Sequence, residues 1–271
     1  MPSQKNNSIK LRANAKINLS LKILGKRPDG FHDIDSVMES VSLHDEIEVK
    51  PAASGIKIKC TPNITVNIAE KAAKTLLDEI KLHKGVEITI KKHIPLASGL
   101  AGGSADAAAV LVGMNHALDL NLHIAKLSMI GAKVGADVPF CLQGGSCRVT
   151  GIGEKIEKIN PQGGGAFLLV LPKLEVPTKA VYEAFDKVGA GESNGNDLEA
   201  AAINVAPEIK QIKDSLIKAT GANWKMSGSG PAMFLKLADL SQAEMYIEKI
   251  KELNLDHQIV KRMDAGVEVI S

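Results

Sequence analysis

From Ile9 to Ile23 every second residue is apolar, and polar residues fill the positions between. A period of two over that length is a long strand with one face buried, or two strands joined at a bulge. The pattern commits the chain to a sheet and sets Lys16 and Asn18 side by side on the polar face. From those two residues alone, solvated strand decoration is the plain expectation.

Further short strands are expected over residues 37–43, 46–50 and 56–60, after the turn-like Arg27-Pro28-Asp29-Gly30. Asn67 can cap a helix whose apolar positions Ile68, Ala72, Leu76, Leu77 and Ile80 keep helical spacing. Val86, Ile88 and Ile90 alternate in a strand that leads through Lys91 and Lys92 into a glycine-rich loop. Helices are expected over 104–118, with Ser104 as N-cap, and over 125–134. Past the glycine-rich stretch 151–165 the pattern starts afresh with the continuous apolar run 167–171, as in a strand covered on both faces. Helices follow over 179–187, 197–204 and 207–219, then strands at 224–226 and 232–237 around a Gly-Ser-Gly turn. Ser241 and Glu244 read as a capping box for the next helix, and 258–262 as a late strand. Interleaved helices and strands on both sides of the glycine-rich stretch make an α+β chain of two halves, 1–157 and 158–271.

Composition narrows the function. Apolar residues at 45% supply a sizeable core and exclude a disordered chain. A formal charge of +2 and 3% aromatic residues leave little basic surface or stacking material for nucleic acid. A phosphate-bearing small ligand needs only a local positive site. Cys60, Cys141 and Cys147 are scattered without metal-ligand spacing and read as reduced residues of a cytoplasmic protein. Met1 to Ser8 is polar, so no secretory signal is expected, and no apolar run approaches the ~20 residues of a membrane span.

The sharpest chemistry lies in Pro95-Leu96-Ala97-Ser98-Gly99-Leu100-Ala101-Gly102-Gly103-Ser104-Ala105-Asp106. A strand runs in and an alanine-rich helix runs out, so backbone amides and the helix dipole converge on an anion site that suits a polyphosphate. No Gly-Lys-Ser/Thr follows the glycines and the G-x-G-x-x-G spacing is absent, which excludes a Walker A loop and a dinucleotide fingerprint. On composition alone, a glycine turn packed tightly against a sheet remains the other reading.

The whole string resembles the ATP loop of the GHMP kinases. Ala13-Asn14-Ala15-Lys16-Ile17-Asn18-Leu19 and Met226-Ser227-Gly228-Ser229-Gly230-Pro231 resemble the other two motifs of that family, in the same order. Gly25 to His32, Gly135 to Phe140 and Asn196 to Glu199 narrow the likeness. They resemble the branch that acts on a sugar alcohol bearing a cytidine diphosphate group, in the non-mevalonate route to isoprenoids. That branch usually has Tyr where this chain has Phe31. The resemblance implies a two-domain GHMP kinase fold. Its N-terminal half would be ribosomal-protein-S5-domain-2-like, binding ATP and carrying catalysis; its C-terminal half would be ferredoxin-like, binding substrate. It implies ATP and Mg²⁺ as cofactors, a small-molecule partner, and no nucleic acid or membrane.

The same resemblance implies roles. Asp137 becomes the group that takes the alcohol proton, with Lys16 keeping it ionised and offsetting charge on the transferring phosphoryl group. A carboxylate of ordinary pKa ~4 cannot pre-ionise an alcohol near ~16; the mismatch is roughly 16 kcal/mol, so the proton must move late, as the O–P bond forms. Residues 95–104 would hold the phosphates, Ser104 would offer its hydroxyl to a phosphate oxygen or Mg²⁺, and Lys92, Asn67 and Ile68 would contact adenine. Phe31 and Tyr182 would sandwich the cytosine, His32 would bond its polar edge, and Asn18 and Thr178 would contact the sugar alcohol. Simpler readings stay open on the residues: Asp137 as a turn aspartate before Pro139, Asn67 as a cap only, Tyr182 as a core aromatic. So do two other functions, a mevalonate- or homoserine-type kinase and a non-catalytic nucleotide-binding protein on the same scaffold.

Overall fold

A computed structural model describes residues 8–63, 68–161, 163–191 and 194–271. The N-terminal residues 1–7 and the expected cap Asn67 lie outside these segments.

The alternating segment forms β1 (Ile9–Lys26), paired antiparallel along its length with β2 (His32–Ala52). Both exceed expectation: β2 is one strand of 21 residues where two short ones were expected. The apparent break at His44-Asp45 is a buried charge inside the strand rather than a turn. β3 (Ile56–Thr61), α1 (Ile68–Ile80), β4 (Gly85–Lys91), α2 (Gly102–Ala117), α3 (Ile124–Val134) and α4 (Val138–Gln143) follow. β5 (Ser146–Gly151) and β6 (Lys155–Lys158), which no clear periodicity announced, complete the first run. β2 is long enough to take β4 on residues 46–52 and β5 on residues 34–39 of the edge away from β1.

The second run is β7 (Ala166–Val170), α5 (Thr178–Val188), α6 (Glu199–Val205), α7 (Glu208–Thr220), β8 (Lys225–Met226), β9 (Met233–Leu237), α8 (Leu240–Ile250) and β10 (His257–Lys261). Its antiparallel sheet has the order β10-β7-β9-β8, the ferredoxin-like arrangement that the resemblance implied. Phe167 to Val170 are fully buried, as a continuous apolar run demands. The expected capping box is displaced. Asp239 caps α8 by accepting from the Gln242 amide at 3.0 Å, while Ser241 donates to Asp239 from inside the helix. The chain closes with β11 (Val267–Val269), which returns to pair with β1, so the first sheet holds both ends of the described chain.

Of two clusters of buried apolar residues, one lies on the first sheet and also takes Phe167, Leu169, Phe234 and Val260 from the second, and the other packs the second sheet's remaining face with α5 to α8. β1 belongs to both, because register shifts after Asn18 and Ile23 redirect it. Beyond the first shift, the Leu21 amide bonds the Gly195 carbonyl at 2.8 Å and the Leu21 carbonyl accepts from the Asp197 amide at 2.9 Å. The two halves therefore share one strand.

α2 is pinned to the sheet by charge as well as by packing. The Lys92 ammonium is 3% exposed and bridges Asp45 on β2 and Asp106 on α2. Asp45 also accepts from the amides of His93 and Ile94. Burial, then the Asp45 charge, pushes the Asp106 carboxyl up to about 8, against the pull of Lys92. Removing the cation would leave two buried carboxylates facing each other. Lys92→Met should therefore lower stability by roughly 3–5 kcal/mol, measured by urea unfolding; a loss below about 1 kcal/mol would mean that α2 does not depend on this bridge.

Candidate active site

The loop between β4 and α2 takes its shape from three left-handed residues at alternate positions: Ala97 (φ 47°), Gly99 (φ 78°) and Ala101 (φ 57°). Such alternation turns successive N–H groups to one side and makes an anion-binding concavity. For each alanine the conformation costs about 1–2 kcal/mol, which the surrounding contacts must offset. At Gly99 no side chain fits, because a Cβ would lie 2.2 Å from the Ser227 carbonyl oxygen and 2.8 Å from the Gly230 nitrogen.

α2 opens directly from this turn. Its first bond runs from the Ala105 amide to the Ala101 carbonyl at 2.9 Å, so the amides of Gly102, Gly103 and Ser104 have no helical acceptor. Together with the positive end of the helix dipole, such free amides could hold an anion. The expectation that Ser104 caps the helix is not met: left-handed Ala101 occupies the cap and brings the chain into the helix earlier, with no side-chain cap at all. Ser104 is the third helical residue and lines the cleft.

Lys16 and Asn18 are not solvated decoration; they are 4% and 1% exposed. The Lys16 ammonium donates to Asn18 Oδ1 at 2.5 Å and to the Gly99 carbonyl at 2.9 Å. The same carbonyl accepts from Ser227 Oγ at 3.1 Å, and Ser227 Oγ in turn accepts from the Asn18 amide at 3.2 Å. The glycine-rich loop, the first strand and the late glycine turn thus meet at one carbonyl. Asn196 stiffens the glycine turn by donating to the carbonyls of Met226 and Gly228. Two of the three Lys16 protons are committed to this network, and Asp137 Oδ2 lies 3.9 Å away on the cleft side. Asp137 sits at the start of α4 without capping it, and its side chain is 33% exposed. Asp137 lies in the turn before α4, and its carboxylate lines the cleft instead of capping the helix.

At the other end of the same cleft, the Arg27-to-Phe31 turn presents Phe31 at 56% exposure. The turn is held by the Phe31 amide on Asp29 Oδ1 at 3.1 Å and the Arg27 amide on the Phe31 carbonyl at 2.7 Å. The His32 ring is 5.2 Å from the Tyr182 ring. Tyr182 is both a core-packing and a cleft-lining residue; burial, then the charge of Asp137, pushes its phenol up. Thr178 Oγ1 lies 2.9 Å from Ser229 Oγ of the glycine turn.

A cleft of about 590 Å³ gathers Lys16, Asn18, Phe31, His32, Ile68, Lys92, Asp137, Thr178, Tyr182 and, of the loop, Pro95 to Gly99 and Ala101 to Ser104. Leu100 is buried in the core instead. Lys92 reaches the cleft wall with its ammonium already shared by Asp45 and Asp106. Sequence reading missed Ser229 and Lys179, which also line the cleft, and Asp186, the partner of His32. Asp186 lies one helical turn beyond Tyr182, a spacing that could have signalled it.

Comparison with known proteins gives the family. Residues 67–145 match the GHMP kinases N terminal domain and 181–254 the GHMP kinases C terminal. The 4-diphosphocytidyl-2-C-methyl-D-erythritol kinase of Acetivibrio thermocellus is 42% identical, over 90% of this chain and 95% of its own. That of Carboxydothermus hydrogenoformans is 41% identical over 87% and 91%. A crystal structure of 4-(cytidine 5'-diphospho)-2C-methyl-D-erythritol kinase superposes with a TM-score of 0.76 at 29% identity, covering 93% of this chain and 99% of that one. A homoserine kinase from Cytophaga hutchinsonii reaches the same TM-score at 20% identity, which shows the shared fold alone. The fold is that of a GHMP kinase, a class of ATP-using phosphotransferases. Within that class the chain belongs to the family of the 4-diphosphocytidyl-2-C-methyl-D-erythritol kinases.

Contact at the Gly99 carbonyl predicts a sharp contrast between two glycines. Gly99→Ala should weaken ATP binding at least tenfold and cost more than about 2 kcal/mol of stability, through a left-handed φ and a backbone clash. Gly25→Ala, with nothing within 4 Å of its Cβ, should change neither. Calorimetric titration with ATP and thermal unfolding of both variants check this; equal behaviour would show that the close approach at Gly99 is dispensable.

Proposed function

We propose that this chain transfers the γ-phosphate of ATP to the 2-hydroxyl of 4-diphosphocytidyl-2-C-methyl-D-erythritol, in the non-mevalonate route to isoprenoid precursors. The observation that carries the reading is the position of Asp137. Its carboxylate faces the Lys16 ammonium in a cleft with an anion-binding loop on one side and an aromatic–histidine pocket on the other. The triphosphate would lie against residues 95–104, and the cytosine between Phe31 and Tyr182, beside His32. Ile68 and Lys92 would flank the adenine. Asn18 and Thr178 would hold the methylerythritol portion, and the reacting hydroxyl would meet the γ-phosphate between Lys16 and Asp137. The half from residue 158 onward would supply part of the substrate end, through Thr178 and Tyr182.

Asp137 would orient the hydroxyl and take its proton late, as the O–P bond forms. The third Lys16 proton would bond the transferring phosphoryl oxygens, where positive charge matters most. The donors near the phosphate site are oxygens, Ser104 Oγ and the Asp137 carboxylate, which suits a hard cation held chiefly by substrate phosphates. Mg²⁺ would be held there by Ser104 and would neutralise phosphate charge. The three free cysteines support a cytoplasmic location; among the described residues no helix is long and apolar enough to cross a membrane.

A coupled ADP-release assay tests the assignment, with ATP-Mg²⁺ and a panel of the cytidine substrate, mevalonate and homoserine. Turnover should be confined to the cytidine substrate; faster use of mevalonate or homoserine would overturn it. Asp137→Asn preserves shape and removes the proton acceptor, so kcat should fall by about 10²–10⁴ with ATP affinity retained. A variant keeping more than about a tenth of wild-type turnover would take Asp137 out of catalysis.

A further inference from the structure

His32 opens β2 with its side chain 5% exposed, yet it lines the cleft. Its orientation is set from α5. Nε2 lies 2.8 Å from Asp186 Oδ1, and the ring packs tilted on Tyr182 and edge-on to Phe185 at 6.0 Å. Tyr182 and Asp186 stand one turn apart, so one helix face supplies both the ring and the carboxylate. Asp186 Oδ2 also accepts from the Lys26 ammonium at 2.5 Å. Lys26 first, then His32, holds the Asp186 carboxyl below the usual range. An ionised carboxylate can only accept, so Nε2 must carry the hydrogen. Nδ1 has no protein partner among the described residues, and its lone pair is what His32 offers a ligand.

We propose that Asp186 is a specificity-determining positioning residue: by accepting the Nε2 hydrogen it fixes the His32 tautomer whose Nδ1 accepts, so the pocket selects a pyrimidine with a 4-amino group over one with a 4-oxo group. The inference rests on the reading that cytosine lies beside His32. The 4-amino group of cytosine donates to Nδ1, whereas uracil would set O4 against another lone pair and leave both unpaired. Lys26 takes part at one remove, by keeping Asp186 ionised.

The tautomer can be read directly by NMR of the full chain labelled with ¹⁵N-histidine. The expected result is a protonated Nε2 and a bare Nδ1 at His32, lost or mixed in Asp186→Ala. In kinetics, Asp186→Ala should lower the preference for the cytidine substrate over its uridine analogue by roughly ten- to a hundredfold in kcat/KM, with the KM for ATP unchanged. Asp186→Asn, which restores an acceptor, should recover part of that preference. A protonated Nδ1 with a bare Nε2 in the wild type would overturn the proposal. So would an unchanged preference in Asp186→Ala, provided His32→Ala loses it. If His32→Ala also binds the cytidine substrate normally, the base-pocket reading fails and this proposal falls with it.

Discussion

The structure turns on a buried ammonium. Lys16 sits on a strand covered on both faces, where an unpaired charge would be costly, and beyond neighbouring Asn18 its partners, the Gly99 carbonyl and Asp137, come from far along the chain. Gly99 offers a carbonyl only because a left-handed loop aims it inward, and Ser227 shares that carbonyl only because neither Gly99 nor Gly228 carries a side chain. A Cβ at Gly228 would stand 3.1 Å from both the Lys16 ammonium and Asn18 Oδ1. Satisfying one cation therefore draws together the first strand, the phosphate loop and the late glycine turn. The packing that buries the lysine is also the packing that builds the site.

Charge is arranged in two tiers around α2. Behind the loop, Asp45, Lys92 and Asp106 are nearly sealed from water and hold helix to sheet. In front, Lys16 and Asp137 are 3.9 Å apart with the carboxylate partly open, a distance that favours attraction without a hydrogen bond. The rear tier is closed off from water, with Asp106 Oδ1 left without a hydrogen-bond partner, while the front one keeps a proton and a carboxylate available. Tyr182 feels the charge of Asp137, so the pocket assigned to the base and the assigned catalytic carboxylate share one electrostatic environment.

Much of this was legible in the sequence, for physical reasons that differ by element. The period of two in β1, the continuous apolar run of β7 and the helical spacing of α1 are consequences of burial, and burial leaves a pattern. The glycine spacing of residues 99–103 announced a close backbone approach, which at Gly99 is to the Ser227 carbonyl. The left-handed alanines at 97 and 101 left no such mark, because a non-glycine residue takes that conformation only when tertiary contacts impose it. Ser104 and Ser241 were read as caps from local chemistry alone; Ala101 and Asp239 took those places because chain direction decided them. Burial of Lys16 and Asn18 was hidden too: alternation marks one covered face and cannot report that the glycine loop and the late glycine turn cover the other.

The reading depends most on Lys16 and Asp137 meeting both reactants at once. A crystal structure with a non-hydrolysable ATP analogue and the cytidine substrate bound together tests that directly. The expected density places the triphosphate along residues 95–104, the cytosine beside His32, and the 2-hydroxyl between the γ-phosphate and the Asp137 carboxylate. A triphosphate bound away from that loop, or a 2-hydroxyl turned away from Asp137 in the ternary complex, would contradict it.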